Sequence, residues 1–256
     1  MSRTIAIVNQ KGGVGKTTTA VNLSASLALA GVDILLIDTD PQGNTTSGLG
    51  LEKEAPGLYD VYAGRARMEE AIRPAHMEHL WVVPSTIDLL GAEIELPGKE
   101  GRERILAAEL APLKERFRYI LIDCPPSLGI LTLNALVAAD SALVPVQCEY
   151  YSLEGLGMLS QTLSLVRGSF NAALELEGVL LTMYDPRNTL TRQVEAELRQ
   201  HFAGKVYSTV IPRNITLAEA PSHGKPALVY DARSRGAQSY LALAREMLNQ
   251  NQGVKA

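Results

Sequence analysis

A chain of 256 residues, 46% hydrophobic and 20% charged, has the composition of an ordinary globular protein that buries a sizeable core. Its formal charge of -4 argues against a uniformly basic nucleic-acid binder, and two widely spaced cysteines, Cys124 and Cys148, argue against a disulfide framework or a structural zinc site. No apolar run approaches the ~20 residues that cross a bilayer.

In chain order, "TIAIVN" (4–9) is apolar and β-branched and predicts a strand within a few residues of Met1. That start is expected to leave no room for a signal peptide or a separate N-terminal DNA-binding domain. A glycine-rich turn follows, then helical apolar spacing over 17–30 with Gly31 as its cap. Further strands are predicted at 33–38, 80–83, 119–123, 141–146, 176–182 and 206–211. Helices are predicted near 101–116, 127–138, 153–167, 190–202 and 235–249, and the stretch 41–79 is the least regular. This alternation predicts an α/β fold, a mostly parallel twisted sheet with helices on both faces. One domain over 1–250 is expected, with a frayed polar tail at 251–256.

The segment "NQKGGVGKTT" (9–18) sits between the first strand and the first helix, where a phosphate-binding P-loop belongs. Gln10 replaces the first glycine of G-x-x-x-x-G-K-[ST], and Lys11 stands beside it. The backbone N–H groups of Gly12, Gly13, Val14 and Gly15 can still turn inward around phosphate oxygens, and the helix start adds partial positive charge. Lys16 is placed for the β- and γ-phosphates, the Thr17 hydroxyl for Mg²⁺, and Thr18 for a further phosphate contact. A glycine-rich strand–helix turn alone binds nothing; here G-K-T-T is joined by two acidic strand ends downstream.

Those ends are "LLIDTDPQGN" (35–44) and "YILIDCPPS" (119–127), both at the carboxyl edge of the sheet, where open α/β folds bind ligands. Asp123 is placed to hold Mg²⁺ directly or through water. Asp38 and Asp40 flank Thr39 and point the same way on an extended chain. One can help organise the metal shell while the other orients the attacking water; alternatively, one caps the turn into Pro41.

Taken together, "QKGGVGKTT", "DTDPQGN" and "LIDCPPS" resemble the deviant Walker A P-loop ATPases, and within them the ParA/Soj chromosome- and plasmid-partitioning family. The resemblance continues through "VPVQCEYYSLEGL" (144–156), "VIPRNITLAEAPSHGKP" (210–226) and "YDARSRGAQSYLALA" (230–244). It implies a slow ATPase that binds ATP and Mg²⁺ and forms an ATP-bound homodimer in which Lys11 reaches phosphates of the partner subunit. It makes Asp40 the catalytic carboxylate, Lys16, Thr17 and Asp123 the phosphate and Mg²⁺ residues, and places adenine near Met183 and Pro212. It further implies non-specific binding of double-stranded DNA, a ParB/Spo0J-type partner that stimulates hydrolysis, and a cytoplasmic, nucleoid-associated location.

Residues 185–235 carry eight Lys/Arg against five Asp/Glu, so this segment is +3 and the remainder of the chain -7. Arg187, Arg192, Arg199, Arg213, Lys225, Arg233 and Arg235 are the candidate DNA contacts. Leu190, Val194, Leu198 and Phe202, four apart, are expected to form the buried face of a helix that exposes Arg192, Arg199 and Glu195.

Three other roles share the loop. A MinD-like membrane ATPase needs a basic, bulky C-terminal amphipathic helix, whereas "SYLALAREMLNQNQGVKA" fades into Asn and Gln and is expected to pack on the domain. An iron–sulfur electron carrier needs suitably placed cysteines, and Cys124 and Cys148 read as small buried residues. A biosynthetic ATPase of the same superfamily needs a second substrate constellation. The four histidines (76, 79, 201, 223) are scattered, although His223 can shape its loop.

Overall fold

Alternate side chains of a strand face opposite sides, so a strand buried on both faces must be apolar throughout. In the computed structural model, which describes residues 2–149 and 152–252, β1 (Arg3–Ile7) obeys this rule from Ile5 onward. Ile5 and Ile7 enter the core on one side of the sheet, and Ala6 and Val8 enter the core on the other. After β1 come α1 (Lys16–Leu29), β2 (Ile34–Asp38), α2 (Asn44–Gly48), α3 (Leu58–Ala63) and α4 (Met68–Ala71). Next are β3 (Arg73–Pro74), β4 (Leu80–Val83), α5 (Leu89–Glu95), α6 (Ile105–Leu110), β5 (Tyr119–Asp123) and α7 (Ile130–Ala138). The chain closes with β6 (Ser141–Gln147), α8 (Ser152–Ser169), β7 (Glu175–Thr182), α9 (Thr189–His201), α10 (Ile215–Glu219), α11 (Ala227–Tyr230) and α12 (Arg235–Gln252).

The sheet order is β3-β4-β2-β5-β1-β6-β7, parallel except for β3, as the alternating pattern predicts. The register sets Ile7 of β1 and Asp38 of β2 both against Asp123 of β5. Three strand ends thus meet at the carboxyl edge, directly before the loop that opens α1.

On one face α12 packs along α1: Tyr240, Leu243 and Met247 are fully buried or nearly so, and Tyr240 shares a 3.1 Å hydrogen bond with Thr19. The C-terminal apolar residues therefore do pack on the domain. Among the described residues no helix is long and apolar enough to cross a membrane.

The structure corrects several sequence-based boundaries. The helix expected over 101–116 is α6 alone, flanked by 3-10 turns at Arg102–Arg104 and Ala111–Glu115. Pro112 lies in the second turn, where its missing N–H prevents the α-helix from continuing. Residues 206–211 do not form a strand; they run beside β7 through the isolated bridges Val179–Val206 and Tyr184–Pro212. Gly178 permits this approach, since a Cβ there would lie 2.6 Å from the Tyr207 ring. On α9 the buried positions are Thr191, Val194 and Leu198, while Leu190 is 38% exposed. Of the expected frayed tail, residues 251 and 252 continue α12, and 253–256 lie outside the described residues, as do Tyr150 and Tyr151 of the 144–156 motif.

Candidate nucleotide site

The loop between β1 and α1 lines a cavity of about 560 Å³ together with Asp40, Leu90 and Glu93 of α5, Pro125 to Ser127, and Met183. Gly13 and Gly15 adopt φ values of 73° and 89°, the left-handed region that a side chain disfavours. Val14 is buried and anchors the loop through its carbonyl, which accepts a 2.8 Å hydrogen bond from the Thr182 hydroxyl of β7. Gly12, Gly13, Gly15, Lys16, Thr17 and Thr18 all reach the cavity wall, so the loop leaves its backbone N–H groups around an anion-sized space.

Lys16 is only 7% exposed, and burial lowers its pKa, with Asp123 opposing that shift. Its ammonium donates to the Lys11 carbonyl at 3.2 Å. Lys11 itself has its backbone N–H held by Asn9 Oδ1 at 2.9 Å, and its ammonium is ion-paired with Glu149 in the segment that follows β6.

Three aspartates sit at the strand ends in different surroundings. Asp123 is fully buried, and burial pushes its carboxyl up to about 7, with neighbouring Asp38 adding to the rise and the Thr45 and Thr17 hydroxyls offsetting part of it. Its Oδ2 accepts from Thr45 Oγ1 at 2.7 Å, while its buried Oδ1 has no hydrogen-bond partner. Asp38, equally buried, is pushed up to about 6 by burial. Neither Asp38 nor Asp123 lines the cavity; the Asp38 oxygens accept from Thr46 N (2.9 Å), Thr46 Oγ1 (2.7 Å) and Asp40 N (3.2 Å). Asp40 does line it, and its Oδ1 accepts from Gln42 N at 2.9 Å. An orphaned buried carboxylate oxygen beside Thr17, next to an open anion cradle, fits a hard divalent cation such as Mg²⁺.

A second, smaller cavity of about 180 Å³ adjoins the first through Gly15, Thr18 and Met183. Met183 and Pro212 line it with the apolar side chains of Ile211, Leu217 and Tyr240. Met183 has φ 48°, a left-handed turn rare for a non-glycine residue, and it bends the chain out of β7 at the junction of the two cavities. Neither this turn nor the walls contributed by Leu90 and Glu93 has a signature in the sequence.

The basic candidates are scattered by comparison. Arg187 is held by Asp185 through two hydrogen bonds of 2.9 and 2.8 Å. Arg192 is exposed on α9. Arg199 is tied inward, donating to Glu195 at 2.8 Å and to the Tyr207 carbonyl at 3.3 Å. Glu195, expected on the open face, also accepts from the Tyr184 hydroxyl and is turned towards β7. Arg213, Lys225, Arg233 and Arg235 are exposed, and Arg213 borders the smaller cavity. His223 stacks on Tyr230 with centroids 4.8 Å apart, and Cys124 and Cys148 are buried free thiols.

These features define a doubly wound α/β P-loop nucleotide-binding protein whose loop carries a second lysine. A protein-family model described as an AAA domain matches residues 2–176. The chain is 55% identical over 249 residues to the sporulation initiation inhibitor protein Soj of Bacillus subtilis, covering 96% of this chain and 98% of that one. It is 50% identical over 253 residues to the chromosome partitioning protein ParA of Myxococcus xanthus, covering 98% and 89%. Among solved structures, cobyrinic acid a,c-diamide synthase from Mycobacterium smegmatis with bound ADP and magnesium matches with a TM-score of 0.87 at 36% identity, covering 100% of this chain and 97% of that one. The chain belongs to the ParA/Soj family of deviant Walker A ATPases.

Proposed function

We propose that the chain is a ParA-type partitioning ATPase. It binds ATP and Mg²⁺, pairs as an ATP-bound homodimer, and holds double-stranded DNA without sequence preference. Hydrolysis, slow alone and stimulated by a ParB/Spo0J-type partner, dissolves the pair and releases the DNA. It works in the cytoplasm on the nucleoid. The observation that carries this reading is the second lysine, Lys11, next in sequence to the cavity-lining Gly12 in a chain 55% identical to a Soj protein.

The site residues divide the work. The loop N–H groups and Lys16 bind phosphate oxygens, and Asp40, on the cavity wall, orients the attacking water. Asp123 and Thr17 would hold Mg²⁺, which supplies positive charge to the transferring phosphoryl group. The smaller cavity, with Met183 and Pro212, suits a flat heterocycle such as adenine. In the homodimer Lys11 leaves Glu149 and offsets triphosphate charge in the partner subunit. Pairing is supported by Ile87, Leu90 and Ile94, large apolar side chains 58%, 43% and 81% exposed, of which Leu90 lines the cavity.

DNA is held through phosphate contacts from the exposed Arg192, Arg213, Lys225, Arg233 and Arg235, and from Arg187 once it exchanges Asp185 for phosphate. The diamide synthase likeness favours a biosynthetic role less, because its 36% identity is well below the 55% and 50% of the partitioning relatives.

Co-sedimentation with plasmid DNA and with liposomes, in ATP, ADP or no nucleotide, tests the reading. DNA should pellet the chain in ATP alone. Pelleting with liposomes but not DNA would replace this reading with a membrane-positioning one.

A further inference from the structure

Two adjacent threonines on the first turn of α2 each hold one of the buried carboxylates. Thr45 Oγ1 donates to Asp123 Oδ2 at 2.7 Å, and Thr46 donates to Asp38 Oδ2 through both its amide (2.9 Å) and its hydroxyl (2.7 Å). All four residues are fully buried. One short turn can serve two carboxylates because the register of β2 and β5 sets Asp38 beside Asp123.

The two carboxylates end up differently. Asp38 has donors on both oxygens, since Asp40 N donates to its Oδ1 at 3.2 Å. Asp123 accepts a hydrogen bond on Oδ2, while its Oδ1 is buried without a hydrogen-bond partner; the Thr17 hydroxyl is near enough to favour the carboxylate but makes no hydrogen bond to it. A buried carboxylate oxygen without a donor is costly unless a cation uses it.

We propose that Thr45 is a positioning residue for the metal: by occupying Oδ2 it fixes the Asp123 carboxylate and reserves Oδ1 as the oxygen that serves Mg²⁺, directly or through water. The inference rests on the assignment of Asp123 to Mg²⁺ above. Partners that orient a ligand carboxylate typically change metal affinity by 10- to 100-fold when removed, because a carboxylate free to rotate must be ordered again by the ion. Thr45 does not line the cavity and reaches the site through its hydrogen bond to Asp123. A hydroxyl that merely satisfied a buried acid would stabilise the fold and leave the Mg²⁺ requirement unchanged.

Thr45→Val keeps the volume and removes the donor; Thr45→Ser restores the donor without the methyl group. The readout is binding of a fluorescent ATP analogue by the full chain during a MgCl₂ titration, with a parallel melt in EDTA. The MgCl₂ midpoint of Thr45→Val should rise about 10-fold or more, and that of Thr45→Ser should stay within about twofold of the parent. In an Asp123→Asn background, Thr45→Val should produce no further change in the midpoint. A Thr45→Val midpoint equal to the parent's, with only the melting temperature lowered, overturns the proposal. Should Thr45→Val fail to fold, Thr45→Ala carries the same comparison. If the parent chain binds the analogue without any Mg²⁺ dependence, the assignment of Asp123 itself fails, and this inference with it.

Discussion

At the phosphate cavity Lys16 is 7% exposed, and Asp38 and Asp123 are fully buried with most of their oxygens committed to specific donors. In the segment 185–235 the Arg187 side chain is 88% exposed and is held only by the acid two residues before it. A buried polar group is tolerable only when its partners are in place, so each residue of the first region depends on specific partners. A surface cation acts through the summed charge of its face, so each residue of the second region is individually replaceable. The two regions therefore predict different responses to mutation: near all-or-none around the cavity, graded on the basic surface.

The largest expected effect is at Asp40. Asp40→Ala should lower ATP turnover by roughly 10²- to 10⁴-fold, the range for losing a positioned base, while leaving ATP binding intact. Phosphate release and equilibrium binding of a labelled nucleotide check the two halves. The trapped ATP form should still retain DNA, and rapid hydrolysis by this variant would remove Asp40 from its role.

Asp123 gives the next effect, in the nucleotide-free chain. Its carboxyl, pushed up to about 7 from an ordinary 3.8, keeps a proton in the folded state that the unfolded state has already lost. Stability should therefore fall as pH rises from about 4 through about 7, then level off. Asp38, raised to about 6, adds to the fall over the lower part of that window. Asp123→Asn should flatten the slope between about pH 6 and 7, above the range where Asp38 contributes, and raise the melting temperature at pH 8, while shifting nucleotide binding to higher MgCl₂. Melting curves across pH decide it; an unchanged slope means that the buried acid is compensated elsewhere.

The same contrast explains what the sequence made legible. Strands buried on both faces are continuous apolar runs, so "DILLID" and "YILID" disclose both position and the aspartate each delivers to the sheet edge. The loop is legible because only glycine suits its backbone. Long-range partners have no such periodic trace. Nothing in "GNTT" (43–46) announces that Thr45 and Thr46 meet acids 78 and 8 residues away, respectively. Glu149 pairs with Lys11 across 138 residues and was equally hidden. On α9 the helical spacing located the buried side, but the Tyr184 hydroxyl drew Glu195, and Arg199 with it, away from the open face.

On the basic surface, replacing Arg187, Arg192 and Arg213 together by alanine should weaken DNA retention without changing nucleotide affinity. Each lost phosphate contact should reduce the slope of log affinity against log salt by about 0.9. Arg199→Ala, already tied to Glu195 and the Tyr207 carbonyl, should change that slope least and stability most. An unchanged slope in the triple variant would move the DNA surface elsewhere on the chain.

The smallest expected effect lies where the two kinds of region meet. Lys11 belongs to the phosphate loop, yet its ion pair with Glu149 is a surface pair, with side chains 37% and 47% exposed. An exposed pair of this kind is worth about 0–1 kcal/mol, so Glu149 competes only weakly with the phosphates that Lys11 is proposed to meet in the partner subunit. Glu149→Gln removes the competitor and should tighten ATP-dependent pairing by about two- to fivefold, read by light scattering across protein concentration. The gain should vanish near 1 M salt, where the screening length falls to about 3 Å. Lys11→Ala should abolish pairing outright, and Glu149→Gln should then have nothing to act on. If Glu149→Gln instead weakens pairing, the carboxylate contributes to the dimer rather than holding Lys11 back from it, and Lys11 would be graded with the cavity residues after all.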